Sequence, residues 1–185
     1  MDAFIAAAEA AADVAAAVVR PFYRQNVAAD LKGDASPVTI ADRTAEQAMR
    51  AVLSQRFPEH GILGEEFGLE RPGARYRWVL DPIDGTRAFI TGRPLFGTLI
   101  GLLDGDTPIL GMIDQPIARE RWIGAAGRPT RFRGEHGAAG CRPCPALADA
   151  ELSCTAPEII GPGQLAGWRR LADRKSTRLN SSHSS

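Results

Sequence analysis

An α+β fold is the class this sequence predicts, on three observations. An Ala-rich helical stretch opens the chain, a second helical segment follows it, and from residue 62 onward short apolar runs alternate with turn residues. Residues 2 to about 29 read as helix. Ala is the strongest helix former, and Phe4, Ile5, Val14, Val18 and Val19 offer an apolar stripe. Pro21 should kink or split that helix. Leu31-Lys32 can start a strand, and Gly33-Asp34-Ala35-Ser36-Pro37 has loop chemistry. A second helix is expected from about Arg43 to Arg56, capped by Thr39 or Asp42, with Ala48, Met49, Val52 and Leu53 inward.

Ile62 to Gly68 reads as a short strand with Glu65 and Glu66 at its exit, and residues 69–75 as a polar loop. Tyr76, Trp78, Val79 and Leu80 read as a buried strand. Pro82 fixes φ and withholds an N–H, so the chain should leave the sheet at Asp81. Asp84-Gly85-Thr86 then reads as a turn with Asp84 as N-cap of a short helix, Arg87 to about Ile90, closed by Gly92-Arg93-Pro94. Residues 95–103 and 108–113 form a hairpin around Asp104-Gly105-Asp106, and 121–123 a third strand. Thr130 and Phe132 alternate within a Gly- and Arg-rich stretch; 151–154 is a candidate strand and 162–172 a candidate helix.

Composition narrows the function classes. The 185 residues carry 22 basic and 22 acidic side chains, which argues against nucleic acid or an acidic membrane as the main partner. Three Cys do not make a disulfide framework, and a reducing cytoplasm fits. No apolar run is long enough to span a bilayer. The first basic residue is Arg20, so the positive start of a signal peptide is missing. Residues 174–185 hold a single apolar side chain, Leu179, and are expected to be disordered. They look like translated cloning sequence, so the fold reading covers residues 1–173.

The chemistry concentrates in the acids. Asp42, the Glu65-Glu66 pair, Asp81 and Asp84 each end an apolar segment or start a helix. Hard oxygen ligands beside helix-start amides suggest Mg²⁺-assisted phosphate chemistry. Asp81 can bridge two ions, with Glu65 and Asp84 completing one each and the Ile83 carbonyl as a further ligand. The N–H groups of Gly85 and Thr86 can meet an anion, and Thr86 with Asp42 can hold a water for attack on phosphorus. The plainer alternative is a capped turn with two solvated Asp.

Gly64-Glu65-Glu66, then Trp78-Val79-Leu80-Asp81-Pro82-Ile83-Asp84-Gly85-Thr86, with Thr39-Ile40-Ala41-Asp42 upstream, resemble the motifs of the inositol monophosphatase family. The resemblance covers roughly residues 3–172. It implies a Mg²⁺-dependent phosphomonoesterase with an α/β layered sandwich, its N-terminal portion a mainly antiparallel sheet flanked by helices. By position, Glu65 resembles a metal ligand, Asp81 the bridging ligand, Ile83 the carbonyl ligand and Asp84 a second-ion ligand. Gly85 and Thr86 resemble the phosphate-contacting amides, with Asp84 beside them. Asp42 and Thr86 resemble the water-activating pair, and Glu66 a supporting acid.

The stretch Arg87–Ile100, with Asp114-Gln115-Pro116 and Arg121-Trp122-Ile123-Gly124, is similar to the histidinol-phosphatase branch. That implies histidinol phosphate as first substrate, and inositol 1-phosphate or a related sugar phosphate as second. The family's later half, with a further Asp ligand, has no counterpart before residue 173. The resemblance therefore implies a truncated chain of impaired activity, or a fragment that binds phosphate or metal without turnover. Its partner would be a small phosphorylated metabolite, and homodimers are common in the family.

Other features receive plainer readings. Cys141 and Cys144 stand as one C-x-x-C without a second pair, which is too few ligands for zinc, and Cys154 is isolated. His60, His136 and His183 are expected at the surface. Arg128, Arg131 and Arg133 read as a solvated loop, with a substrate or neighbouring subunit as the alternative.

Overall fold

The structure, a computed structural model, describes residues 1–25, 29–31, 37–135, 137, 140, 141, 143–151 and 160–173. Helix α1 (Asp2–Phe22) buries Ile5, Ala7, Ala8, Ala11, Ala12, Ala15, Ala16 and Val19. Its inward face is thus mostly Ala, whose small side chain lets α2 pack closely along it. The helix stops at Phe22, well short of residue 29. Pro21 brings no N–H and crowds the preceding turn, and Tyr23 turns to extended backbone. Strands β1 (Ala29–Leu31) and β2 (Pro37–Thr39) pair antiparallel as a separate ribbon. The expected Gly33–Ser36 loop and Lys32 lie outside the described residues.

Helix α2 (Ile40–Arg56) starts three residues earlier than expected, because Thr39 and Asp42 act together. Thr39 is the N-cap, and Asp42, at the third helical position, reaches back to the Thr39 N–H. The buried stripe is Ala41, Asp42, Ala45, Glu46, Met49, Arg50 and Leu53. Met49 and Leu53 are buried as expected; Ala48 and Val52 are only half-buried, and the charged Glu46 and Arg50 take the inner positions.

Seven strands form the main sheet in the order β4-β3-β5-β6-β7-β8-β9. These are β3 (Gly61–Gly64), β4 (Gly68–Glu70), β5 (Tyr76–Asp84), β6 (Gly97–Asp104), β7 (Thr107–Gln115), β8 (Glu120–Ala125) and β9 (Arg131–Arg133). Only β3 and β5 run parallel; every other pairing is antiparallel. The expected 62–68 strand breaks after Gly64. A turn carries Glu65–Phe67, and Gly68 enters β4 with φ 67°. The hairpin at Gly105 (φ 60°) stands as expected.

Helices α1 and α2 cover one sheet face. Trp78, Leu80, Ile100, Leu102, Leu110, Met112 and Ile123 point into this core, and a fully buried side chain of this kind contributes about 1.5–3 kcal/mol. On the other face Val79, Gly101, Gly111 and Gly124 lie in register across β5 to β8. Val79 and the three glycines floor an apolar cleft of about 560 Å³ lined also by Asp81, Leu99, Ile113 and Trp122.

One surface reading is corrected and one refined. His60 is buried at 3% exposure, stacked on Phe57 with ring centroids 4.6 Å apart, and its Nδ1 accepts the Trp78 indole N–H at 3.2 Å. Arg128, Arg131 and Arg133 are exposed as expected, but Arg131 and Arg133 belong to β9 and not to a loop. They pair with Asp2, Glu9 and Asp13 along α1.

Residues 1–139 form one unit and 140–185 a second. In the second, a 3₁₀ turn spans Leu147–Asp149 and helix α4 spans Pro162–Asp173, close to the expected 162–172. Cys141 and Cys144 are exposed free thiols, and Cys144 donates weakly to the Ala146 carbonyl at 3.4 Å. The 152–154 part of the expected strand, the 174–185 tail, Cys154, His136 and His183 lie outside the described residues. Among the described residues, no helix is long and apolar enough to cross a membrane.

Candidate active site

The end of β5 shapes the site. In register with β6, Asp81 faces Leu99 and Asp84 faces Gly97, so Pro82-Ile83 oppose Thr98 alone. That is a bulge, and it corrects the expected sheet exit at Asp81: β5 continues to Asp84. Pro82 is tolerated because a bulge leaves its residue out of the regular ladder. Its carbonyl accepts from Thr98 Oγ1 at 2.8 Å. The bulge folds Asp81 back on the chain, with Asp81 Oδ1 accepting the Ile83 N–H at 3.1 Å.

Asp84 is exposed and ends β5; it does not cap the helix that follows. The N-cap of α3 (Thr86–Ile90) is Gly85, left-handed at φ 96°, with no side-chain capping bond. A Cβ on Gly85 would sit 3.0 Å from the Leu95 carbonyl oxygen, so the turn needs glycine twice over. Thr86 Oγ1 donates to the Ile83 carbonyl at 3.2 Å. That fixes the hydroxyl's proton and leaves its oxygen an acceptor.

Glu65 reaches the same place from β3. Its N–H donates to the Leu80 carbonyl at 3.1 Å, extending the parallel ladder one residue past Gly64. The Glu65 carboxyl then lies beside that of Asp81, close enough to share a proton with it. Burial, the Glu65 charge and its hydrogen bond, and then the Asp84 charge push the Asp81 carboxyl up to about 8. Burial and the neighbouring carboxylates together disfavour a negative charge on Asp81.

Glu65 and Asp81 thus touch, and Asp84 acts on Asp81 electrostatically. Among the described residues, no three His, Cys, Asp or Glu side chains gather around one point. The oxygen donors and surplus charge fit a hard divalent cation, and Mg²⁺ usually takes one or two carboxylates with water and phosphate completing its shell. Asp42 lies in the first turn of α2, buried, its Oδ2 accepting from Thr39 Oγ1 at 2.5 Å. Helix α3 lies beside β2, which runs directly into α2. Glu66 is half-buried next to Glu65.

Sequence reasoning missed Glu46 and Arg50, both buried beneath the Glu65-Glu66 turn. The available signal was an oppositely charged pair four residues apart lying in the same helical stripe as Ala45, Met49 and Leu53.

Residues 1–158 match the model of the inositol monophosphatase family. The chain belongs to that family. It is 47% identical over 176 residues to the bifunctional phosphatase IMPL2, chloroplastic, of Arabidopsis thaliana, covering 94% of this chain and 50% of that protein. It is 37% identical over 141 residues to a histidinol-phosphatase of Mycobacterium tuberculosis, covering 76% and 52%. A solved inositol monophosphatase from Zymomonas mobilis superposes with a TM-score of 0.78 at 51% identity, over 92% of this chain and 65% of that one. The chain thus spans about half the length of these curated relatives. The inositol monophosphatase α+β architecture, with its mixed sheet and flanking helices, agrees with the expected fold class.

Proposed function

We propose that this chain carries most of the catalytic groups of a Mg²⁺-dependent phosphomonoesterase acting on a small phosphorylated metabolite, with histidinol phosphate the first candidate. The observation that carries the reading is the Glu65–Asp81 contact at the mouth of the parallel β3–β5 pair, one bulge away from Gly85 and Thr86. Glu65, Asp81, Asp84 and the Ile83 carbonyl would hold the cation. When bound, the ion supplies positive charge against the phosphate oxygens and against this cluster of acids.

The chain's own groups do the rest. The Gly85 and Thr86 amides receive the phosphate at the start of α3. Thr86 Oγ1 has its proton committed to the Ile83 carbonyl, so its oxygen accepts from a water and orients it. Asp42 takes the proton that water gives up, and Glu66 supports the acid cluster from the neighbouring position. The histidinol phosphate assignment is supported by the similarity to a histidinol-phosphatase and by the sequence after Thr86. The similarity to an inositol monophosphatase supports inositol 1-phosphate as the second substrate. Histidine biosynthesis would be the setting of the first assignment.

Phosphate release from histidinol phosphate and from inositol 1-phosphate, each with and without Mg²⁺, tests the reading. Mg²⁺-dependent release that is faster with histidinol phosphate is expected. Mg²⁺ binding without release from either ester would leave a binding fragment, and no Mg²⁺ binding would end the proposal.

A further inference from the structure

Glu46 has 0% exposure and is one of the few charged side chains in the core. Its carboxylate accepts three hydrogen bonds: Glu66 N–H at 2.7 Å, Phe67 N–H at 3.2 Å and Arg50 Nε at 2.7 Å. Arg50, also buried, continues along the same segment. It donates to the Gly68 carbonyl at 2.6 Å and to Glu70 Oε1 at 2.8 Å. One helical turn of α2 therefore grips the backbone of residues 66–68 and the side chain of Glu70. Gly64 completes the fit, because a Cβ there would lie 1.8 Å from Glu46 Oε1.

A buried ion pair is a costly way to stabilise a fold, and apolar residues of similar volume commonly do as well. What this pair does that Met or Leu cannot is satisfy turn amides that have no strand partner. Those amides follow Glu65 directly, and the same helix carries Asp42 one turn earlier. We propose that Glu46 and Arg50 are positioning residues that fix the Glu65 carboxylate against Asp81 for cation binding. The proposal rests on the reading of Glu65 as a cation ligand. Glu46 touches neither cation nor substrate; it acts through the turn.

The test uses the full chain and Mg²⁺ alone, by calorimetric titration, with amide exchange as a second readout. Glu46→Gln, which leaves one acceptor oxygen where two served, should weaken Mg²⁺ binding at least tenfold, the scale seen for outer-shell partners of metal ligands. Exchange at Glu66 and Phe67 should speed up by a similar factor. Met49→Ala, in the same helix core but away from the turn, should keep its Mg²⁺ affinity within twofold, which a merely structural role for Glu46 would not predict. Where Glu46→Gln does not fold, Arg50→Lys carries the test, with the same tenfold loss expected. A folded variant of either kind with Mg²⁺ affinity within twofold of the parent, while Glu65→Gln loses binding, overturns the positioning role alone. Mg²⁺ affinity unchanged in Glu65→Gln as well overturns the ligand reading and this proposal with it.

Discussion

Glu65 and Asp81 meet because the Glu65 amide bonds to the Leu80 carbonyl at 3.1 Å, carrying the parallel pairing one step beyond β3. Neither acid could find the other from within its own segment. Burial, and then the Glu65 contact and the Asp84 charge, raise the Asp81 pKa to about 8 and leave a site short of positive charge.

Neutralising Asp81 should therefore cost the site its cation and not its fold. In thermal melts, Mg²⁺ at a hundred times its dissociation constant should stabilise the parent chain by about 2.7 kcal/mol. Asp81→Asn should melt at or above the parent's temperature without Mg²⁺, because it removes a buried acid whose ionised form burial and the Glu65 and Asp84 charges disfavour, and should show no Mg²⁺ shift. An undiminished shift in Asp81→Asn would remove Asp81 from the ligand set.

Gly64 should be irreplaceable by even the smallest side chain. The Cβ of Gly64→Ala would overlap Glu46 Oε1, at 1.8 Å, and Arg50 Nη2, at 2.7 Å. Neither group can step aside cheaply, since each is buried and hydrogen-bonded in place. A loss of about 2–3 kcal/mol is expected in urea melts, the scale of overpacking in a rigid core. A loss under about 0.5 kcal/mol would mean that the pair shifts freely.

The legible part of this molecule was local. Thr39 and Asp42 marked the start of α2 to within three residues, and Asp104-Gly105-Asp106 announced the β6–β7 hairpin, because capping and tight-turn chemistry reside in a few adjacent residues. The acids of the site could be picked out as a group, but their meeting depends on a parallel pairing between β3 and β5 that no local pattern encodes. Pro82 misled for a related reason. It breaks a regular strand, yet a bulge has a place for it, so β5 runs on and Asp84 ends a strand in place of capping a helix. His60, set between Pro58 and Gly61, had the neighbours of a loop residue. Its burial comes from Phe4, Phe57, Tyr76 and Trp78, which three separate segments supply.

That enclosure makes His60 a source of acid sensitivity. Burial holds its pKa below the ordinary 6.5, with Glu59 pulling the other way and Arg71 adding to the depression. The unfolded chain then binds a proton in a pH range where the folded one does not. Stability from this group is present above about pH 6.5 and is lost as pH falls from there toward the depressed folded value. His60→Gln keeps an acceptor for the Trp78 indole and removes the titration. Urea melts between pH 7.5 and 5 should show a shallower acid decline in the variant, and identical slopes would mean that other groups set the acid limb.

Arg121 should be the costliest single loss outside the site. Its side chain is 4% exposed and bonds Asp114 Oδ1 at 2.6 Å and Asp13 Oδ1 at 2.8 Å, so it joins β8 to β7 and to α1. Asp114 is itself buried, and its Oδ2 has no hydrogen-bond partner, so Arg121 is its principal compensation. Arg121→Met strands that carboxylate and should cost about 3–5 kcal/mol, a large share of the stability of a domain this size. Arg121→Met with Asp114→Leu removes both charges and should recover most of the loss, since apolar side chains of similar volume commonly replace a buried pair at little cost. Urea melts of the two single variants and the double variant close the cycle and isolate the pair's coupling. A double variant no more stable than Arg121→Met would place the cost in the lost packing of the Arg121 stem and not in the stranded charge.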